Sequence, residues 1–194
     1  MDFEPKAKLL GDKDNLRVGY VGHLYKGKGV EVIASIAGKV SEDIEFHIIG
    51  GLEKDINLWK EKINSKNVFF YGFVSQKEVS GYINALDVCL LPNQKIVMTH
   101  RAGINGTNIS GFISPLKMLE YMAHKKVIAC SDISVLREVL NEENAILVDP
   151  ENAKEWIEAI ERFRDDRLRD SLAQSVYSDF MQKYRWEQRA KESI

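Results

Sequence analysis

Short apolar runs alternate along the chain with longer segments of mixed polarity. The runs are too short for helices and end at glycine, proline or polar residues, which is typical of buried strands. The predicted strands are residues 16–22, 45–49, 68–71, 88–91, 127–130 and 145–148.

The segments between these strands repeat apolar residues every three or four positions, as amphipathic helices do. Ser75 and Glu78 have the spacing of a capping box and start one such helix. The predicted helices are residues 30–40, 53–65, 76–85, 115–123, 135–140 and 153–163, followed by a helical remainder to residue 194. This alternation predicts an α/β fold, with a doubly wound, mostly parallel Rossmann-like sheet and helices on both faces.

Composition bounds the class of protein. The chain has 194 residues, 44% hydrophobic and 29% charged, which fits one globular domain at 16–194 after a polar lead-in or linker at 1–15. A net charge of −2 gives no electrostatic footprint for nucleic acid. Cys89 and Cys130 lie in apolar runs, as buried thiols of a reducing compartment do. Without a membrane span or signal peptide in the sequence, the cytoplasm is the expected location.

The segment from Ser114 to Ala123 carries the first candidate chemistry. Ser114 is a good N-cap and Pro115 suits the first helical position, so a helix N-terminus that attracts phosphate is expected here. The amides of Leu116 and Lys117 would face that anion.

Glu120 lies one turn further along this helix. It shares a predicted face with Leu116, Leu119 and Ala123, so its carboxylate is expected to be buried and to have a partner. A ribose hydroxyl beside a bound diphosphate suits that partner. The alternative is a surface ion pair with Lys117, three residues earlier. The segment alone does not decide between these interpretations.

A glycine-rich turn, residues 22–29, follows the first strand. It nearly matches the P-loop pattern G-x-x-x-x-G-K-[ST], but Gly29 replaces the hydroxyl residue that would hold Mg²⁺. A P-loop nucleotide-binding protein is therefore the weaker interpretation. Lys28 in this turn is either a solvated lysine or a cation for a phosphate group.

The segments 114–123, 126–132 and 136–140 together resemble the donor-binding core of family 4 glycosyltransferases. These are retaining enzymes of the two-domain GT-B fold that use nucleotide diphosphate sugars. The resemblance extends from about Leu16 to Ala190 and covers the second, C-terminal domain of such an enzyme. It implies a sugar transfer to an acceptor hydroxyl, a glycan or lipid-linked saccharide as acceptor, a separate N-terminal domain and no bound metal.

The resemblance also implies roles for particular residues. Lys28 and Glu120 are the expected catalytic residues, since Lys28 matches the lysine that faces the donor diphosphate and Glu120 matches the acid on the ribose. The other positions that it places at the nucleotide sugar are Gly22, His23, Gly50, Gly72, Val74, Ser114, Pro115, Leu116 and Lys117. Phe112 stands where the family usually has its sugar-contacting glutamate, and His23 stands where it usually has arginine.

Three features complete the expectations. The polar segment 93–113, with His100, Arg101 and Asn105, is predicted to be a long loop that borders the sugar or is an inert insertion. The His, Cys and carboxylate spacings form no metal site. The prediction from the resemblance is an enzyme domain that is inactive alone and whose full-length form is cytoplasmic and can be peripheral at the membrane. The alternatives are a sugar-nucleotide epimerase domain and a non-catalytic nucleotide-sugar sensor.

Overall fold

The computed structural model describes residues 6–95 and 116–184. Six strands form one sheet: β1 Leu16–Val21, β2 Ile44–Ile49, β3 Val68–Gly72, β4 Val88–Leu91, β5 Val127–Ser131 and β6 Ile146–Val148. The helices are α1 Val30–Ile36, α2 Glu53–Lys62, α3 Gln76–Ala85, α4 Leu116–Ala123, α5 Ser134–Arg137, α6 Ala153–Arg162 and α7 Asp166–Asp179.

The strand order is β3-β2-β1-β4-β5-β6, and every neighbouring pair is parallel. One apolar cluster packs α1, α2 and α6 on one face of the sheet, and a second packs α3 and α4 on the other. The predicted doubly wound Rossmann-like α/β fold is therefore confirmed. Both cysteines are buried and free, and burial raises the pKa of each thiol to about 12.

The strand order reverses at β1. The chain first adds β2 and β3 on one side of β1, and then β4, β5 and β6 on the other side. β1 pairs with β2 along its whole length, but it pairs with β4 only at Val18↔Val88 and Gly19↔Cys89. The two strands therefore separate toward their carboxyl ends. In open parallel sheets this switch point is where ligands bind.

Three predicted helices are shorter than expected, and one of them, α2, ends at Lys62 instead of residue 65. The segment 30–40 changes at Ala37 into a 3₁₀ turn, Ala37–Lys39, and the predicted helix 135–140 is a single turn, Ser134–Arg137. Beyond Arg137 the Leu136 carbonyl accepts hydrogen bonds from the N–H groups of both Val139 and Leu140, so the helix closes in a single further turn. Helix α7, in contrast, is extended at its C-terminal end by a π-helical turn, Phe180–Tyr184.

The described part of the lead-in, residues 6–15, packs against the sheet. Leu9 is buried, and Leu10 N–H donates to the Tyr71 hydroxyl at 2.8 Å. Asp12 N–H and Asn15 Nδ2 both donate to Glu45 Oε1. This segment forms no helix or strand, as predicted, but its backbone is held in place by the side chains beneath it.

Candidate functional site

The separated ends of β1 and β4 open into a crevice of about 220 Å³. Its walls come from the end of β1, the glycine turn, the end of β4 and the first turn of α4. The lining residues are Tyr20, Val21, Gly22, His23, Lys28, Leu91, Asn93, Leu116, Lys117, Met118 and Leu136. The structure thus brings five of the predicted site residues, Gly22, His23, Lys28, Leu116 and Lys117, into one cavity.

Side chains from three elements hold the glycine turn, residues 22–29. The Tyr20 hydroxyl donates to the His23 carbonyl at 2.7 Å, and Trp59 Nε1 donates to the Leu24 carbonyl at 2.8 Å. The carboxylate of Glu31 accepts the N–H groups of Gly27 and Gly29 at 2.9 and 3.1 Å. The turn is therefore fixed at its start, middle and end.

These bonds count against the P-loop interpretation. In a P-loop, consecutive backbone N–H groups of the turn bind the phosphates. Here the Gly27 and Gly29 N–H groups bind Glu31, and the N–H of Lys28 donates to the Tyr25 carbonyl at 3.1 Å. The turn presents the Lys28 side chain to the cavity, while its last amides are already used.

Two lysines line the crevice. Lys28 is half-buried, its Nζ lies 5.5 Å from the centroid of the Tyr25 ring, and burial lowers the pKa of its ammonium group. Lys117 enters from α4, and no carboxylate is among the described lining residues. The Lys28 ammonium group and the helix N-terminus at the opposite wall favour an anionic ligand, whereas the charge of Lys117 is offset by the Glu120 carboxylate 2.8 Å from its Nζ.

The prediction that Glu120 is buried in an apolar stripe is wrong. The buried face of α4 consists of Met118, Tyr121 and Met122, and Leu116 is 58% exposed. The side chain of Glu120 is 32% exposed, and its Oε2 accepts a hydrogen bond from Lys117 Nζ at 2.8 Å. Glu120 is not among the lining residues but is joined to one of them, Lys117, by the ion pair that was the alternative interpretation.

Gly50, Gly72 and Val74 lie outside the cavity lining. Gly50 N–H donates to the Gly72 carbonyl at 2.7 Å, and a Cβ on Gly50 would lie 2.4 Å from the Gly22 carbonyl oxygen. Gly50 thus supports the turn from behind. Val74 packs against the second apolar cluster. Their contact with a nucleotide base stays a prediction.

The remaining predicted residues are His23, which lines the cavity but is exposed, and several that lie outside the described residues. His23 is exposed at the cavity edge and stacks on Tyr25, with ring centroids 5.4 Å apart. Ser114, Pro115, Phe112 and the rest of the predicted loop after Lys95 lie outside the described residues.

Sequence reasoning missed several residues of the site, among them Asn93, Tyr121 and Glu31. Asn93 lines the cavity and is buried, Tyr121 fixes α4 to β1, and Glu31 binds the glycine turn. Asn93 had a usable signal, because it directly follows Pro92 at the carboxyl end of a predicted strand. The partners of the other two are set by the folded geometry.

The described ranges hold neither a metal-binding cluster nor a membrane-spanning helix. Residues 6–95 and 116–184 contain no group of three or more His, Cys, Asp or Glu side chains arranged to hold a metal ion. Within the same ranges, no helix has the length and apolar character needed to cross a membrane.

Comparison with known proteins identifies the family. The profile of the family described as Glycosyl transferases group 1 matches residues 15–166, more than half of the chain. The chain therefore belongs to this family, and its fold is the Rossmann-like fold of GT-B glycosyltransferase domains.

Individual proteins are similar in sequence or in structure. An uncharacterised 41.2 kDa protein in the cps region of Klebsiella pneumoniae is 33% identical over 84 residues, which are 42% of this chain and 22% of that protein. Anabaena HepE in complex with UDP and glucose matches 93% of this chain and 48% of its own, with 16% identity and a TM-score of 0.74. The C-terminal domain of the group 1 glycosyl transferase LpcC from Francisella tularensis matches 88% of this chain and 87% of its own, with 22% identity and a TM-score of 0.67. The chain thus spans less than half of the Klebsiella protein and of HepE.

Proposed function

We propose that this chain is the donor-binding domain of a retaining glycosyltransferase, which moves a sugar from a nucleotide diphosphate sugar to an acceptor hydroxyl. The observation that carries this proposal is the crevice at the switch point, with Lys28 on one wall and Lys117 on the other. A diphosphate is the part of such a donor that an ammonium group and a helix N-terminus attract most strongly.

In this proposal, Lys28 is the catalytic residue that touches the diphosphate. When the sugar leaves, negative charge develops on the nucleoside diphosphate, and an ammonium group already in place stabilises it. Burial has already removed part of the water around the Lys28 ammonium group, which lowers the pKa of Lys28 and leaves less water for ligand binding to remove. The amides of Leu116 and Lys117 add to the same anion site.

Glu120 is proposed to bind the ribose hydroxyls. Its Oε2 is held by Lys117, which leaves Oε1 to accept a hydroxyl hydrogen bond. The ion pair joins the carboxylate to a lining lysine and does not compete with this role. Gly22, Gly50, Gly72 and Val74 are proposed to form the backbone surface near the base, with His23 at its edge. Ser114 and Pro115 are proposed to start the helix whose amides bind the diphosphate.

Donor class and partners follow from the relatives. HepE binds UDP, which supports a nucleoside diphosphate as the group bound here. Since the chain spans 48% of HepE, the acceptor, a glycan or a lipid-linked saccharide, is proposed to meet a second, N-terminal domain. We propose that the full enzyme needs no bound metal. It is proposed to act in the cytoplasm, at times at the membrane surface. This chain alone is proposed to transfer little sugar.

Calorimetric titration of UDP-, GDP- and ADP-sugars, with and without Mg²⁺, tests the proposal. We expect one base to bind best, without need of Mg²⁺, and Lys28→Ala to weaken binding about tenfold or more, as loss of a charged hydrogen bond does. Lys26→Ala, an exposed neighbour in the same turn, is the matched control.

Four outcomes would contradict the proposal. The absence of binding to any of these donors would exclude a donor site. Mg²⁺-dependent hydrolysis of a nucleoside triphosphate would favour the P-loop class, and interconversion of the free donor would favour an epimerase. A Lys26→Ala effect as large as that of Lys28→Ala would remove the special role of Lys28.

A further inference from the structure

The carboxylate of Glu31 binds the backbone on both sides of Lys28 but does not line the crevice. Glu31 lies in the first turn of α1, and its two carboxylate oxygens accept one N–H each: Oε1 from Gly27 and Oε2 from Gly29. Lys28 is the residue between these two amides. Glu31 is not among the residues that line the cavity.

The backbone at this point needs such a support. Gly27 and Gly29 both have left-handed conformations, with φ of 88° and 101°. Glycine adopts these angles easily but also leaves them easily, because it has no Cβ to restrict it. Two hydrogen bonds to one ionised carboxylate are stronger than neutral ones and hold both glycines in register.

We propose that Glu31 is a positioning residue of the donor site, which fixes residues 27–29 so that the Lys28 ammonium group points into the crevice. This inference rests on the proposed function, in which Lys28 binds the donor diphosphate. The carboxylate also occupies the turn amides that a phosphate would otherwise bind. The diphosphate is therefore directed to the Lys28 ammonium group and to α4.

Removing Glu31 leaves most of α1 in place. Val30 and Ile33 are buried in the first apolar cluster, and they anchor the helix independently of the carboxylate. The variant Glu31→Ala removes both acceptors, and Glu31→Gln keeps one oxygen that can accept. Glu53→Gln is the matched control, since Glu53 is an exposed acid in the first turn of α2.

The first test is a double-mutant cycle with UDP, GDP and ADP as probes. For the nucleotide that binds tightest, we expect Glu31→Ala to weaken binding about tenfold, Glu31→Gln less, and Glu53→Gln not at all. In the Lys28→Ala background, Glu31→Ala should cause no further loss, because its effect passes through that ammonium group.

The second test needs no ligand. Amide hydrogen exchange of Gly27 and Gly29, measured by NMR on the full chain, should be about tenfold faster in Glu31→Ala than in the wild type. Unchanged exchange, or an equal loss of affinity with and without Lys28, would overturn the positioning role. If Lys28→Ala weakens binding and Glu31→Ala does not, this inference fails alone. If the wild type binds none of the three nucleotides, the proposed function fails with it.

Discussion

The hydroxyl oxygen of Tyr121 accepts a hydrogen bond of 3.0 Å from the backbone N–H of Val21. Val21 is the last residue of β1, beyond the point where pairing with β4 ends at Gly19↔Cys89. The bond therefore fastens α4 to the strand that leads into the glycine turn. It sets the distance between the two walls that carry Lys117 and Lys28.

The variant Tyr121→Phe tests this relationship. It leaves the Val21 N–H buried without its partner, which should lower the free energy of unfolding by about 1–3 kcal/mol. Urea denaturation measures the change. Tyr177→Phe, a half-buried tyrosine on α7, is the control and should change stability by much less. An equal loss of unfolding free energy in the two variants would show that the Val21–Tyr121 hydrogen bond does not stabilise the fold.

A second prediction concerns the backbone behind the turn. An alanine at Gly50 would place its Cβ 2.4 Å from the Gly22 carbonyl oxygen, at a φ of 108°. Strain of this kind costs about 1–3 kcal/mol, and moving Gly22 to relieve it would also deform the crevice. Gly38→Ala is the control, because its nearest neighbour is 3.9 Å away. We expect thermal denaturation to show a clear loss for Gly50→Ala and little change for Gly38→Ala. Similar melting temperatures would refute the close contact.

A third prediction separates the two roles discussed for Glu120. If the carboxylate binds ribose, Glu120→Ala should weaken donor binding by about 1–3 kcal/mol in calorimetry. Glu158→Ala removes a comparable helix-surface pair, Lys154 with Glu158, far along the chain on α6, and should leave binding unchanged. A Glu120→Ala chain that binds donors as tightly as the wild type would reduce Glu120 to a surface ion pair.

A fourth prediction follows from a buried histidine. Burial, assisted by the charge of Arg17, lowers the pKa of His47 from 6.5 to about 4, although Glu45 Oε2 lies 3.6 Å from its Nε2. The Tyr71 hydroxyl contacts its Nδ1 at 2.8 Å. The unfolded chain then binds more protons than the folded chain between pH 6.5 and 4, so stability falls as the pH is lowered through this window.

Urea denaturation between pH 7 and pH 4 measures this effect. His47 should account for a loss of up to about 3 kcal/mol across the window, since one pKa unit corresponds to about 1.4 kcal/mol. His47→Gln keeps a side chain that can bond to Tyr71 but does not titrate, so its stability should depend less steeply on pH. Identical slopes for both chains would show that His47 does not titrate as described.

Much of the fold could be predicted from local sequence. The six strands lie within one or two residues of the predicted bounds, because each is a buried apolar run that a turn residue interrupts. The position of the glycine turn could be predicted because the turn directly follows the first of these apolar runs. In contrast, the early end of α5 could not be foreseen, because the apolar spacing of Val135, Leu136 and Val139 continues past Arg137, its last residue.

The site shows where local pattern fails. Segment 116–123 has apolar residues around most of the helix, so periodicity could not choose between the Leu116 face and the Met118 face. The Val21–Tyr121 bond joins residues 100 positions apart. The Glu31 bonds are local, but they depend on left-handed glycines that only the folded turn reveals.

The most direct test of a nucleotide site at the switch point is an NMR titration of the ¹⁵N-labelled chain with UDP, GDP and ADP. The account predicts that the largest amide shifts fall on residues 22–29 and on Leu116–Glu120, and that Lys28→Ala removes them. Shifts centred elsewhere, for example on Lys8, Lys13 and Arg17, which line a different surface cavity, would contradict it.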